Sequence, residues 1–130
     1  MKNNEYQLQK NVIKYIKLKY PSLLYCASAG GMRTSMTQAK KMKATGYKKG
    51  FPDLFIYEPK GKYHGLALEL KIKKGRPTKS QLDWRNELNK RNYVSEITYG
   101  FDQTIEILER YLSGKICELN KEKCKKKSKN

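Results

Sequence analysis

The sequence predicts an α/β domain built on a mixed sheet of about four strands flanked by helices. Three observations predict it. Apolar residues recur at helical spacing near the start, two stretches between Asp53 and Ile72 alternate apolar and polar residues, and the segments follow in the order helix, strand, loop, hairpin, helix, strand, helix. A chain of 130 residues can bury one small core, so one domain is expected. Residues 1–114 are assigned to it, and residues 115–130 to a lysine-rich tail expected to be disordered.

The first element is a helix from Asn4 to about Lys19. Leu8, Val12, Ile16 and Tyr20 form its apolar stripe, with Ile13 beside them, and Pro21 ends it. Glu5 and Gln9 lie one turn apart next to that stripe, where polar first-turn residues also complement the helix dipole. Leu23 to Ala29 is a short apolar run after a proline and is expected to be a first, central strand. Gly30 to Gly50 differs in kind, with Gly30, Gly31, Arg33, Thr34 and Ser35 followed by Lys40, Lys41, Lys43, Lys48 and Lys49. A short helix around Thr37 to Ala44, stopped by Gly46, fits inside it. The segment suits either a DNA backbone lying across it or a solvated basic loop.

The hairpin comes next. Leu54 and Ile56 alternate with Asp53, Phe55 and Tyr57, while Leu66, Leu68, Leu70 and Ile72 alternate with Ala67, Glu69 and Lys71. Pro59, Gly61 and Gly65 mark the turn, and a turn centred near Gly61 makes the numbers of opposed residues sum to about 122. Asp53 then faces Glu69, with Lys71 on the same face roughly 7 Å further along the strand. Directly opposed like charges destabilise a sheet. A divalent cation between the two carboxylates compensates, and hard oxygen ligands of this kind suit magnesium shared with a phosphate. Lys71 is placed to orient or deprotonate a water, or to offset charge on a phosphorane-like transition state. On an arbitrary hairpin the same three charges would be a solvated edge with ordinary ion pairs.

Lys73, Lys74, Gly75, Arg76 and Pro77 make a basic turn leading off that strand, suited to hold a nucleic-acid strand by its phosphates. Thr78 caps a helix running to about Arg91, in which Lys79 adds another cation and Gln81 completes a Thr-x-x-Gln capping box. Trp84 is assigned to packing rather than to a platform on which a base stacks. Tyr93 to Tyr99 is the last strand, Gly100 ends it, and Asp102 is expected to cap a final helix. Ile105, Leu108 and Leu112 share a face of that helix, with Ile107 and Tyr111 adjoining, and should cover the sheet.

A formal net charge of +17, spread along the chain, calls for a polyanionic partner, and nucleic acid fits best. No stretch approaches the roughly 20 apolar residues of a spanning helix, and no basic amphipathic segment presents a strong apolar face, so no membrane partner is expected. The first residues carry no signal-peptide apolar region, and an intracellular location is expected, in the cytoplasm or in a host cell for a viral protein. Cys26, Cys117 and Cys124 make an odd count without paired CxxC spacing, which argues against a disulfide framework and a zinc knuckle. The single histidine, His64, falls in the hairpin turn and gives histidine-based catalysis little support.

Pro52-Asp53 followed across one hairpin by Glu69-Leu70-Lys71 resembles the PD-(D/E)xK nuclease superfamily. The flanks, Gly50-Phe51 before it, then Gly75-Arg76 and the helix opening Thr78-Lys79-Ser80-Gln81, resemble its VRR-NUC branch in the stand-alone viral or phage form. The resemblance runs from Glu5 to about Tyr99. It implies a restriction-endonuclease-like core and catalysis with Mg2+, for which Mn2+ would substitute. It further implies metal binding by Asp53, Glu69 and the main-chain carbonyl of Leu70, with Lys71 positioning the attacking water. The same pattern carries Glu5, Gln9 and Gln81 into the active site. The expected DNA contacts are Arg33, Lys40, Lys41, Lys48, Lys49, Lys73, Lys74, Arg76 and Lys79.

The activity expected is structure-selective endonuclease action on branched DNA such as four-way (Holliday) junctions, in DNA repair, by a homodimer. No helix carries a set of Arg, Asn and Gln suited to groove reading. Alternative expectations are a nicking, flap or exonuclease in repair or replication, and a basic nucleic-acid-binding module without hydrolytic activity.

Overall fold

The computed structural model describes residues 2–28 and 35–116. Helix α1 spans Lys2–Lys19, strand β1 Tyr25–Ala27 and helix α2 Met36–Ala44. The hairpin strands are β2, Leu54–Ile56, and β3, Leu66–Lys71, followed by α3 at Lys79–Lys90, β4 at Val94–Tyr99 and α4 at Gly100–Leu112. The strands form one four-stranded sheet in the order β1-β2-β3-β4. The first two pairings are antiparallel and β3 pairs with β4 in parallel, so the sheet is mixed as expected.

The hairpin register follows the turn. Leu54 pairs with Leu68, Phe55 with Ala67 and Ile56 with Leu66, each sum being 122. Gly61 takes the left-handed backbone at the tip with φ of +54°, and Lys60 bridges to Tyr63 beside it. Gly65 is needed for a different reason: a Cβ there would come within 2.8 Å of the Ile56 carbonyl oxygen.

Alternation along these strands gives the sheet two unlike faces. One carries Leu54, Ile56, Leu66, Leu68, Leu70 and Val94 into a core with Leu8, Val12 and Ile16 of α1 and Leu108 and Tyr111 of α4. Each fully buried aliphatic side chain there contributes about 2 kcal/mol of transfer free energy. The other face carries Phe55 and Ala67, covered by Leu88 and Trp84 of α3 together with Phe51 and Tyr93. At the edge of the main core, Glu109 of α4 accepts hydrogen bonds from the hydroxyls of Tyr15 and Tyr20 and from Lys19 Nζ at 2.8 Å, tying α4 to the end of α1.

Three expectations are corrected. β1 is an edge strand rather than a central one among the described residues: it stands first in the sheet order, pairs with β2 through three residues, and carries Cys26 and Ala27 exposed. Asp102 does not cap α4. The helix starts at Gly100, and Gln103 reaches back to accept the Tyr99 N–H at 2.6 Å, which leaves Asp102 in the first turn as a partner for the helix dipole. The core also extends past residue 114, since Ile116 is only 2% exposed and packs among the α1/α4 residues; residues 117–130 lie outside the described residues.

The outer edge of β4 is bracketed by side chains. Asn89 donates to the Ser95 carbonyl at 3.0 Å and accepts the Ser95 N–H at 2.9 Å, while Gln103 takes the N–H of Tyr99. These amides stand where a further strand would pair.

Candidate active site

The three charges of the hairpin meet on the α3 side of the sheet. Leu54 and Leu68 are paired and point into the aliphatic core, so Asp53 and Glu69 one residue away occupy the opposite face, and Lys71 follows two residues on. Glu69 and Lys71 are buried, at 6% and 9% exposure. Asp53 is half-buried and fixed at two points: its Oδ2 accepts the Leu70 N–H at 2.8 Å, and its carbonyl accepts the Ser28 N–H at 2.9 Å.

That arrangement determines the electrostatics. Burial, then a hydrogen bond with Asp53 and its charge, push the Glu69 carboxyl far above the ordinary carboxylate range. The Lys71 ammonium opposes that rise, and Glu5 adds to it from α1. Two carboxyl groups in one partly dehydrated site therefore hold fewer than two negative charges until a cation joins them.

The residues suit a divalent metal ion. Asp53 and Glu69 offer hard oxygen donors, the ion would reverse the rise at Glu69, and water and phosphate would complete the shell. No group of three or more His, Cys, Asp or Glu residues gathers for a metal among the described residues.

Ser28 extends this row across the sheet. The β1–β2 register pairs Ala27 with Leu54, which sets Ser28 opposite Asp53 and on the face of Asp53 and Glu69. Its Oγ is buried with no hydrogen-bond partner, and is the one such side-chain atom among the described residues. The sequence reading passed over it, although the end of a strand pairing with Asp53 was the signal that could have found it.

The neighbouring residues divide into those brought to the triad and those set around it. Glu5 is exposed on α1 within electrostatic reach of Glu69, and Gln9 follows one turn later, half-buried. Gln81 closes the capping box of α3: its Oε1 accepts the Thr78 N–H at 2.9 Å, and its own N–H donates to Thr78 Oγ1 at 3.2 Å. A matching Ser35–Gln38 box, unforeseen from the sequence, starts α2. Gly50 locks the approach to Asp53 against α3. It has φ of +89°, and a Cβ there would lie 2.6 Å from the Ser80 carbonyl carbon. Gly75 packs beside the Lys71 stem, where a Cβ would lie 3.4 Å from Lys71 Cδ.

Among the described residues, the basic side chains expected to contact DNA are exposed. Lys40 and Lys41 are exposed on α2, a helix with no buried residue, and Lys48 and Lys49 precede Gly50. Lys73, Lys74 and Arg76 are exposed on the turn after Lys71. Lys79 pairs with Asp83 at 3.0 Å, but both are so exposed that the pair leaves Lys79 available to a phosphate at little cost. Arg33 lies outside the described residues.

Comparison with known proteins bears on the family and the fold. No curated protein matches the chain. A solved structure described as a VRR-NUC domain protein superposes with a TM-score of 0.72 at 26% identity, covering 84% of this chain and 88% of the other. A second, described as a VRR-NUC domain, has a TM-score of 0.50 at 22% identity, covers 78% of this chain and 95% of the other, and speaks to the fold alone. The family model of the VRR-NUC domain matches residues 3–102, which include the hairpin, its charges and the helices on both sides. The chain belongs to the VRR-NUC family, nucleases of the PD-(D/E)xK type.

Proposed function

We propose that the protein is a magnesium-dependent, structure-selective DNA endonuclease that hydrolyses phosphodiester bonds of branched DNA, four-way junctions among them, and that it acts as a homodimer. The observation that carries this reading is the shared face of Asp53, Glu69 and Lys71, on which burial, and then Asp53, push the Glu69 carboxyl well above the ordinary carboxylate range.

Asp53 and Glu69 would hold the metal, with the Leu70 carbonyl as a further donor. When bound, a divalent ion supplies positive charge to the scissile phosphate and lowers the pKa of water. The chain does the rest. The Leu70 N–H fixes the orientation of the Asp53 carboxylate, and its place on the buried strand β3 keeps Glu69 largely dehydrated, so the charge it acquires is felt strongly. Lys71 projects its ammonium on the same face, to orient the attacking water or to offset charge accumulating on the phosphate oxygens. Glu5, Gln9 and Gln81 support water or metal from the helices. The exposed lysines and Arg76 hold the strand by its phosphates without reading bases, so substrate choice rests on shape. A two-fold dimer presents two such centres to the opposed strands of a junction.

The experiment uses labelled linear duplex, flap and four-way-junction DNA with magnesium, with manganese and with chelator, for the wild type and for Asp53→Ala and Lys71→Ala. Metal-dependent incision of the junction in preference to linear duplex, lost in both variants, is expected. Binding without metal-dependent cleavage of any substrate would leave only a basic binding module, and preferred cutting of flaps or ends would replace the junction reading.

A further inference from the structure

A hollow of about 370 Å³ opens beside the catalytic face, lined by Gly46, Tyr47, Lys48, Phe51 and Trp84. Its walls come from the loop leading to Asp53 and from Trp84 of α3, which also packs against the Phe55 and Ala67 face of the sheet. The tight approach of Gly50 to Ser80 joins these two elements. Phe51 meets the Trp84 ring edge-on at 5.1 Å, and the Trp84 Nε1–H is spent on the Lys49 carbonyl at 3.1 Å. The indole is thus fixed in place with its polar edge satisfied.

We propose that this hollow receives one unstacked nucleobase of the DNA substrate. The inference rests on the nuclease reading of the neighbouring site and adds a contact that reading lacks. Two features select this occupant. Three aromatic side chains surround the space, and flat π-faces are what a displaced base stacks on. Cations border it, Lys48 in the wall and Lys49 next to it, both exposed, which suits a ligand carried on a phosphate backbone.

Phe51 lies two residues before Asp53, so a base seated against it keeps its strand next to the metal-binding carboxylates. Because Trp84 has no donor to spare, the hollow holds a base by its face rather than by its hydrogen-bonding edge. It therefore favours the presence of a base over its identity. Such a pocket selects DNA that already has an unpaired nucleotide, as a branch point or a frayed arm does, since there the cost of unstacking is smallest.

The test uses the whole chain in chelator, so that no cleavage occurs. Duplexes with a short unpaired arm are prepared with a thymine, or with a tetrahydrofuran abasic residue, at each successive arm position. Affinity and the emission of Trp84, the one tryptophan of the chain, are followed together. At one arm position the base-bearing DNA should bind roughly 5- to 100-fold tighter than the abasic one and quench the emission. The four bases should agree within about threefold. Tyr47→Ala should erase the preference for a base, whereas Tyr57→Ala, an exposed aromatic outside the hollow, should retain it. Equal binding of base-bearing and abasic arms at every position without quenching, or a preference that survives Tyr47→Ala, would overturn the proposal. Metal-dependent cleavage of the abasic substrates would then still stand, which separates failure here from failure of the nuclease reading.

Discussion

The two faces of the sheet are made by alternate residues of the same strands, and they are built to opposite ends. Toward α1 and α4 the hairpin strands send Leu54, Ile56, Leu66, Leu68 and Leu70, all aliphatic and buried. Toward α3 the aromatic packing gives way to two carboxyl groups that repel and a buried ammonium. Stability is concentrated on the first face, which lets the second hold a grouping of charges that by itself costs stability. The difference teaches that a one-residue step along β3, from Leu68 to Glu69 or from Leu70 to Lys71, separates a folding residue from a chemical one.

Mutations can break that division, and the largest effect is expected at Asp53. Asp53→Asn keeps an oxygen for the Leu70 N–H but removes the charge. Cleavage should fall about a thousandfold, while in chelator the protein should gain up to about 1 kcal/mol from relief of the repulsion with Glu69. A melting curve beside a cleavage rate checks both signs. Leu68→Ala on the other face should behave inversely. It should cost about 3 kcal/mol in urea unfolding, through a cavity under α1 and α4, with per-molecule cleavage of the folded fraction retained.

A smaller effect sharpens the comparison through pH. Because the folded Glu69 pKa is raised, its contribution to the stability of the metal-free protein is complete below the unfolded value and disappears as pH climbs through the folded one. The metal-free protein should therefore lose stability between about pH 4.5 and about pH 9. Magnesium should flatten that loss. Melts with chelator and with magnesium at about pH 5 and about pH 8 would show a larger metal-induced shift at the higher pH, and equal shifts would contradict the site.

The smallest effect concerns the α1–α4 tie. Partial burial alone would raise the Glu109 pKa, but hydrogen bonds from Lys19, Tyr15 and Tyr20 outweigh it and lower the carboxyl to about 2. Its stabilisation is present above the unfolded value and is lost as pH falls from about 4.5 toward 2. The advantage of wild type over Glu109→Gln should be about 1 kcal/mol or less, given how open the cluster is to solvent, and should vanish across that acid window in urea titrations.

What the sequence made legible was symmetric or periodic. The hairpin register needed only a turn at Gly61 and two alternating runs, and it placed Asp53 opposite Glu69. The buried stripe of α1 needed only the spacing of Leu8, Val12 and Ile16. The place of β1 in the sheet was not legible, because a three-residue strand leaves too short a pattern to tell an edge from a centre. Asp102 misled because a cap-forming residue shortly after a glycine is a strong local signal, yet Gln103, one residue further on, reaches back four positions to the Tyr99 N–H instead. The aromatic hollow could not be read at all: Trp84 and Lys49 meet across 35 positions of chain, and no local pattern records that meeting.

The bracketed edge of β4 bears on assembly. Copies of a protein most readily join by continuing one sheet into the next, and the same open edge invites uncontrolled association. Here Asn89 and Gln103 already occupy the bonding positions at Ser95 and Tyr99. A second copy arriving along β4 would meet these amides where ladder bonds to Ser95 and Tyr99 would form, so a continuous ladder along that edge would first require both to move away.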